Sequence, residues 1–78
     1  MKRLYLIEGV DVVDALVRVL GLFAVQQARL SNVEFTAHEG RMTLKLEAEE
    51  LDVDRADYLH RKLQLLPLVT SVAMGWRG

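Results

Sequence analysis

The order strand, helix, strand, strand, helix, strand along 78 residues predicts an α+β sandwich in which two helices cover one face of a four-stranded antiparallel sheet. Three observations carry that expectation. Val12 to Ala24 repeats apolar residues at helical spacing; two segments flanking Gly40 alternate apolar and polar residues; and a second, narrower helical stripe ends at Pro67 before a last apolar run.

Arg3 to Ile7 reads as the first strand, and Glu8-Gly9-Val10-Asp11 as the turn into the first helix, with Asp11 placed to cap it. On that helix Val12, Ala15, Leu16, Val19, Leu20 and Phe23 share one face, and Val13, Val17 and Ala24 extend it sideways. Only Asp14, Arg18 and Gly21 form a polar wedge, narrower than a solvated helix ordinarily presents. The helix therefore needs a partner beyond its own core.

Leu30 to Ala37 reads as the second strand, with Val33, Phe35 and Ala37 on one face and Asn32, Glu34 and Thr36 on the other. His38-Glu39-Gly40-Arg41 supplies a hairpin turn. Met42, Leu44, Leu46 and Ala48 then alternate with Thr43, Lys45 and Glu47 in a third strand. Asp54, with Asp57 three residues on, is placed to cap a second helix whose stripe is Ala56, Leu59, Leu63 and Leu66. Pro67 ends it, and Leu68 to Met74 makes the last strand, with Trp76 near its end. Two right-handed crossovers place both helices on one face, which is the ferredoxin-like βαββαβ plan. The whole chain, residues 1–78, forms one domain.

A chain this short buries a thin core, so association is expected to contribute to its stability. Ten basic and eleven acidic side chains leave a net charge of −1, and neither sign forms a run, which argues against nucleic acid as a partner. There is no cysteine, which excludes disulfides, thiolate metal sites and a thiol nucleophile. The first residues lack the apolar stretch of a signal peptide or membrane span, so a cytoplasmic location is expected.

This plan hosts many functions, so the decision rests on particular residues. The outward positions of the third strand carry Thr43 and Lys45 rather than the aromatic residues on which nucleic-acid versions stack bases. His38 in the turn and His60 on the second helix each lack a second ligand at useful spacing and read as surface residues. Ser31 and Thr43 have no partnered base, and Asp14 and Arg18 read as an exposed ion pair in the favourable acid-first order. Trp76 reads as a packing anchor. No catalytic residue, metal site or cofactor of its own is expected.

The first strand is unusual in being apolar on both sides. Leu4 and Leu6 alternate with Tyr5 and Ile7, so one of the two pairs faces outward, where a solvated antiparallel sheet ordinarily carries polar groups. That face is expected to meet either a further copy of the domain or a different protein.

The segment Arg18-Val19-Leu20-Gly21-Leu22-Phe23-Ala24 resembles the first helix of ACT domains, in particular those of the small regulatory subunits of acetolactate synthase. Arg41-Met42-Thr43 is similar to the start of their third strand, and Leu63-x-x-Leu66-x-x-Val69-x-x-Val72 to their closing passage from helix to strand. The resemblance implies a side-by-side homodimer, with an interface at Val13, Val17 and Ala24 of the helix and Val33 and Phe35 of the strand. It also implies an amino-acid effector held between Asp11, Val12, Val13 and Asp14 of one chain and Arg29 and Leu30 of the other, where a helix start suits a carboxylate. In members that bind valine, asparagine stands at the position of Asp11, glycine at Asp14, glycine at Gln27 and a second asparagine at Arg29. Two carboxylates at the helix start oppose the effector's own carboxylate and fill the space that glycine leaves, so valine is expected to bind weakly or not at all.

The function implied is a non-catalytic regulatory domain: the small accessory subunit of an acetolactate synthase in branched-chain amino-acid biosynthesis. Thiamine diphosphate, flavin and magnesium would then belong to the catalytic large subunit. The alternative is a stand-alone ACT dimer that senses an amino acid without an enzyme partner.

Overall fold

The computed structural model describes residues 2–10, 13–49 and 51–77. Its elements are β1 Lys2–Val10, α1 Val13–Val25, β2 Arg29–His38, β3 Arg41–Glu49, α2 Val53–Gln64 and β4 Val69–Arg77. The strands form one antiparallel sheet in the order β2-β3-β1-β4, with both helices on one face, as the sequence predicts. Asp11, the expected cap of α1, and Val12 lie outside the described residues.

Period-two burial fixes the two faces of the sheet. Tyr5 and Ile7 of β1 stand beside Leu46 and Leu44 of β3 and Met74 and Val72 of β4, and this side packs under the helices. Ala15, Val19 and Phe23 of α1 and Ala56, Leu59 and Leu63 of α2 close the core from above. Tyr5 joins the sheet to both helices. Its ring meets Phe23 edge-to-face at 5.2 Å, and its hydroxyl donates to the Ala56 carbonyl of α2 at 3.0 Å. Leu4 and Leu6 are the pair that faces outward.

Three differences from the sequence reading bear on the packing. β1 runs through Glu8, Gly9 and Val10 instead of turning, because Gly9 and Val10 still pair with Met42 and Arg41 of β3. Gly9 serves close approach: a Cβ there would sit 2.4 Å from the Leu68 carbonyl oxygen, the same atom that accepts from the Val10 amide at 2.9 Å. Asp52, not Asp54, caps α2, its carboxylate accepting from the Arg55 amide at 2.8 Å. Asp54 lies in the first turn, where its charge complements the helix dipole. The hairpin loop contracts to Glu39 and Gly40, at φ 50° and 78°, because a two-residue turn with both φ positive matches the strand twist.

A bulge at Ser31 resets the parity of β2. Leu30 pairs with Ala48, Asn32 with Glu47 and Val33 with Leu46, so Leu30 and Val33, three apart, both face the helix side. That side of β2 nevertheless remains uncovered. Val33 and Phe35 are 45% and 43% exposed, whereas Leu46 and Leu44 beside them are buried.

Burial pushes the Tyr5 phenol up to about 12; Arg3 partly offsets the rise and Asp57 adds to it. In the unfolded chain a tyrosine ionises near 10. Between those values the unfolded state holds fewer protons, so the stabilisation present below pH 10 is lost as pH rises toward 12. Tyr5→Phe should lower stability at neutral pH by about 1 kcal/mol, the loss of one buried hydrogen bond, and should weaken the alkaline decline. Urea unfolding of both proteins at pH 8 and pH 11 checks this; equal declines would contradict it.

Candidate functional site

The residues expected to form the effector cleft and the dimer interface surround α1 and β2. Val13, at the first turn of α1, is 78% exposed, and Val17, one turn on, is 59% exposed. Ala24 is also exposed. With Val33 and Phe35 they leave apolar surface on the helix and on the adjoining sheet edge, all on the helix side of the molecule.

Asp14 pairs with Arg18 on its own helix, Oδ2 to Nε at 2.7 Å. The pair is solvated, and the hydrogen bond that Arg18 donates to Asp14 raises the pKa of the guanidinium above its ordinary value. Arg29 opens β2 opposite Glu49, and Leu30 packs half-buried against the core beside Ala48. Asp14 and Arg29 stand at opposite ends of the sheet. α1 starts near the end of β1 and returns over its thirteen residues a distance of roughly 20 Å to the start of β2. Within one chain, the two halves of the expected cleft therefore do not meet. A second copy whose β2 runs antiparallel to the first would bring its Arg29 end toward Asp14.

The passage between them is built by a helix stop. The Gln27 amide donates to the Ala24 carbonyl and the Ala28 amide to the Phe23 carbonyl, each at 3.0 Å, with Gln27 left-handed at φ 54°; this is a Schellman termination. α1 has no basic residue in its last turn. Arg55 of α2 supplies the missing cation, its Nη2 donating to the Gln26 carbonyl. Sequence reasoning did not find this contact, because Arg55 and Gln26 are neighbours only once the helices pack.

The other polar candidates are placed as follows. His38 is exposed in the hairpin, its Nε2 3.7 Å from Glu39. His60 is half-buried rather than a surface residue, with Nε2 3.4 Å from the Val72 carbonyl oxygen of β4. Ser31 forms the bulge and Thr43 lies on the outer face of β3. Trp76 is half exposed and covers Arg3, whose buried guanidinium lies over the indole ring. Arg3 Nε and Nη2 have no hydrogen-bond partner among the described residues, so the indole face is their main compensation. Among the described residues no three His, Asp or Glu side chains gather as a metal site, and no helix is long and apolar enough to cross a membrane.

Residues 1–77 match the family described as an ACT-like domain, and the chain belongs to that family. ACT domains are regulatory domains. The ACT domain of GTP pyrophosphokinase from Chlorobium tepidum superposes with a TM-score of 0.84 at 19% identity, over 95% of this chain and 96% of that one. The C-terminal domain of MgtC from Mycobacterium tuberculosis superposes at 0.73 and 15% identity, covering 95% and 84%. Formyltetrahydrofolate deformylase from Burkholderia mallei superposes at 0.80 and 11% identity, over 95% of this chain and 27% of that enzyme. At such identities the likeness is one of fold. No curated protein matches the chain.

Gln27 occupies a left-handed position that glycine takes without strain. Gln27→Gly should stabilise the fold by about 1 kcal/mol, raising Tm by roughly 4–8 °C in a domain of this size. Calorimetric melting tests it, and a lower Tm would show that the Gln27 side chain has a role of its own.

Proposed function

We propose that this chain is a non-catalytic regulatory ACT domain that acts as a homodimer and as the cytoplasmic accessory subunit of an acetolactate synthase. The observation that carries the dimer is the uncovered helix side of β2. Val33 and Phe35 continue the buried rows of β3 into solvent, on an edge strand whose outer backbone groups pair with no strand among the described residues. A two-fold axis joining two β2 edges would extend the sheet and lay α1 of one chain toward Val33 and Phe35 of the other. It would also complete an effector cleft from Asp14 of one chain and Arg29 of the other. The resemblance of α1 and of the α2-to-β4 passage to acetolactate synthase small subunits supports the choice of enzyme.

The dimer predicts that sedimentation equilibrium at micromolar concentration gives at least twice 8.9 kDa, and that Phe35→Glu halves the mass; a clean monomer would overturn it. Asp14 stands where valine-binding members carry glycine, so calorimetric titration with valine, leucine and isoleucine should give no saturable heat. Micromolar affinity for any of them would refute this reading of the cleft. Mixing the protein with the large synthase subunit of its own organism should raise acetolactate formation. No co-elution and no change in rate across a tenfold excess would defeat the accessory-subunit reading in favour of a stand-alone amino-acid sensor.

A further inference from the structure

The sheet face opposite the helices carries a pattern that the effector cleft does not use. In one row across the sheet Glu47, Leu4 and Gly75 lie side by side; in the next row stand Lys45, Leu6 and Ala73. Leu4 and Leu6 form the floor of an open depression of about 610 Å³ that Lys45 and Glu47 bound on one side. On the β4 side it is low, since a Cβ added at Gly75 would meet nothing within 4 Å. Lys45 is exposed and makes no ion pair among the described residues. Glu47 has Lys2 near it at 3.9 Å.

We infer that this face is an interface between two copies of the chain, stacked sheet on sheet. The occupant is identified by self-complementarity. Consider a two-fold axis between the sheets, at right angles to the strands and passing between the two rows. It exchanges the rows, so Leu4 meets Leu6 of the partner subunit, Lys45 meets Glu47 of the partner subunit, and small residue meets small residue. Each attractive contact occurs twice by symmetry, and no pair of like charges is opposed. The same leucines, unlike charges and low β4 side in one chain are what such an axis requires; a surface for a different protein has no reason to contain both halves of the match.

The size is adequate. Four strands of nine or ten residues present a face of about 30 by 19 Å, on the order of 600 Å² per copy, not far below the roughly 800 Å² per partner of an ordinary stable interface. The helix side remains free, so the stack is compatible with edge-to-edge pairing through β2, and the two contacts together give a four-chain particle.

The test uses the intact chain and reads particle mass by sedimentation velocity. Wild type should sediment as four chains. Leu6→Glu should halve the mass while leaving the melting transition cooperative, since position 6 is exposed and Lys45 lies beside it. Phe35→Glu should also halve it, and the double variant should be monomeric. Lys45→Glu should weaken the stack at least about 100-fold by placing carboxylates opposite each other, and adding Glu47→Lys in the same chain should restore it to within about tenfold. A two-chain wild-type particle unaffected by Leu6→Glu but split by Phe35→Glu overturns the stack and leaves the edge dimer standing. A two-chain particle split by Leu6→Glu and unaffected by Phe35→Glu supports the stack and overturns the edge dimer.

Discussion

The fold hangs on Tyr5, a side chain that binds the sheet to both helices. Its strand is central, so its backbone is held from both sides by β3 and β4. Its ring meets Phe23 of α1, and its hydroxyl reaches Ala56 of α2. Burying a phenol is favourable only if its hydroxyl is satisfied, and here the acceptor is a helix carbonyl with a lone pair to spare. α2 is thereby positioned over β1 and β4, where His60 approaches the Val72 carbonyl. α1 is drawn over β1 and β3 through Phe23. Neither helix is left to cover β2.

Everything at the surface follows from that placement. With Tyr5 and Ile7 committed to the core, strand parity sends Leu4 and Leu6 to the opposite face, and β3 repeats the division with Leu44 and Leu46 inside and Lys45 and Glu47 outside. The bulge at Ser31 carries the inside row on into β2, where there is no helix above it. Val33 and Phe35 are core residues by register and surface residues by coverage. The molecule therefore exposes apolar side chains on two sides of one sheet for two different reasons: an incomplete roof on one side and a doubly apolar central strand on the other.

Much of this was legible in the sequence, because period-two and period-3.6 patterns report directly on which side of an element is apolar. The β2–β3 hairpin, the α1 stripe and the outward polar row of β3 stand where those patterns put them. What stayed hidden depended on contacts between distant residues. Glu8-Gly9-Val10 has the composition of a turn, yet pairing on both flanks keeps it extended, and the glycine answers to the Leu68 carbonyl instead. The Asp54/Asp57 spacing suggested a cap at Asp54, yet the backbone at Asp52, extended at φ −70° and ψ 167°, makes Asp52 the cap and leaves Asp54 in the first turn. Which pair of β1 faces the core was undecidable locally, since leucine against tyrosine and isoleucine offers no polar side to read. The site follows the same division. Val13, Val17, Val33 and Phe35 were identifiable as surplus apolar surface, whereas the half-burial of His60 and the capping role of Arg55 exist only in the packed chain.

That division bears on how a regulatory domain of this size can work. The residues of the expected cleft lie at opposite ends of one chain's sheet, so no single copy presents them together. If an effector binds between Asp14 and Arg29, it binds only the assembled form, and its binding energy must appear as added stability of the β2 edge contact. On the Asp14 side of the expected cleft stands the Asp14–Arg18 ion pair. Being solvated, it is too weak to prevent Asp14 from turning to a cationic group of a ligand or, in the proposed dimer, to Arg29 of the partner subunit. If the chain works as the proposed dimer, regulation is carried by the equilibrium between copies rather than by movement within the core, where Tyr5 ties the sheet to both helices.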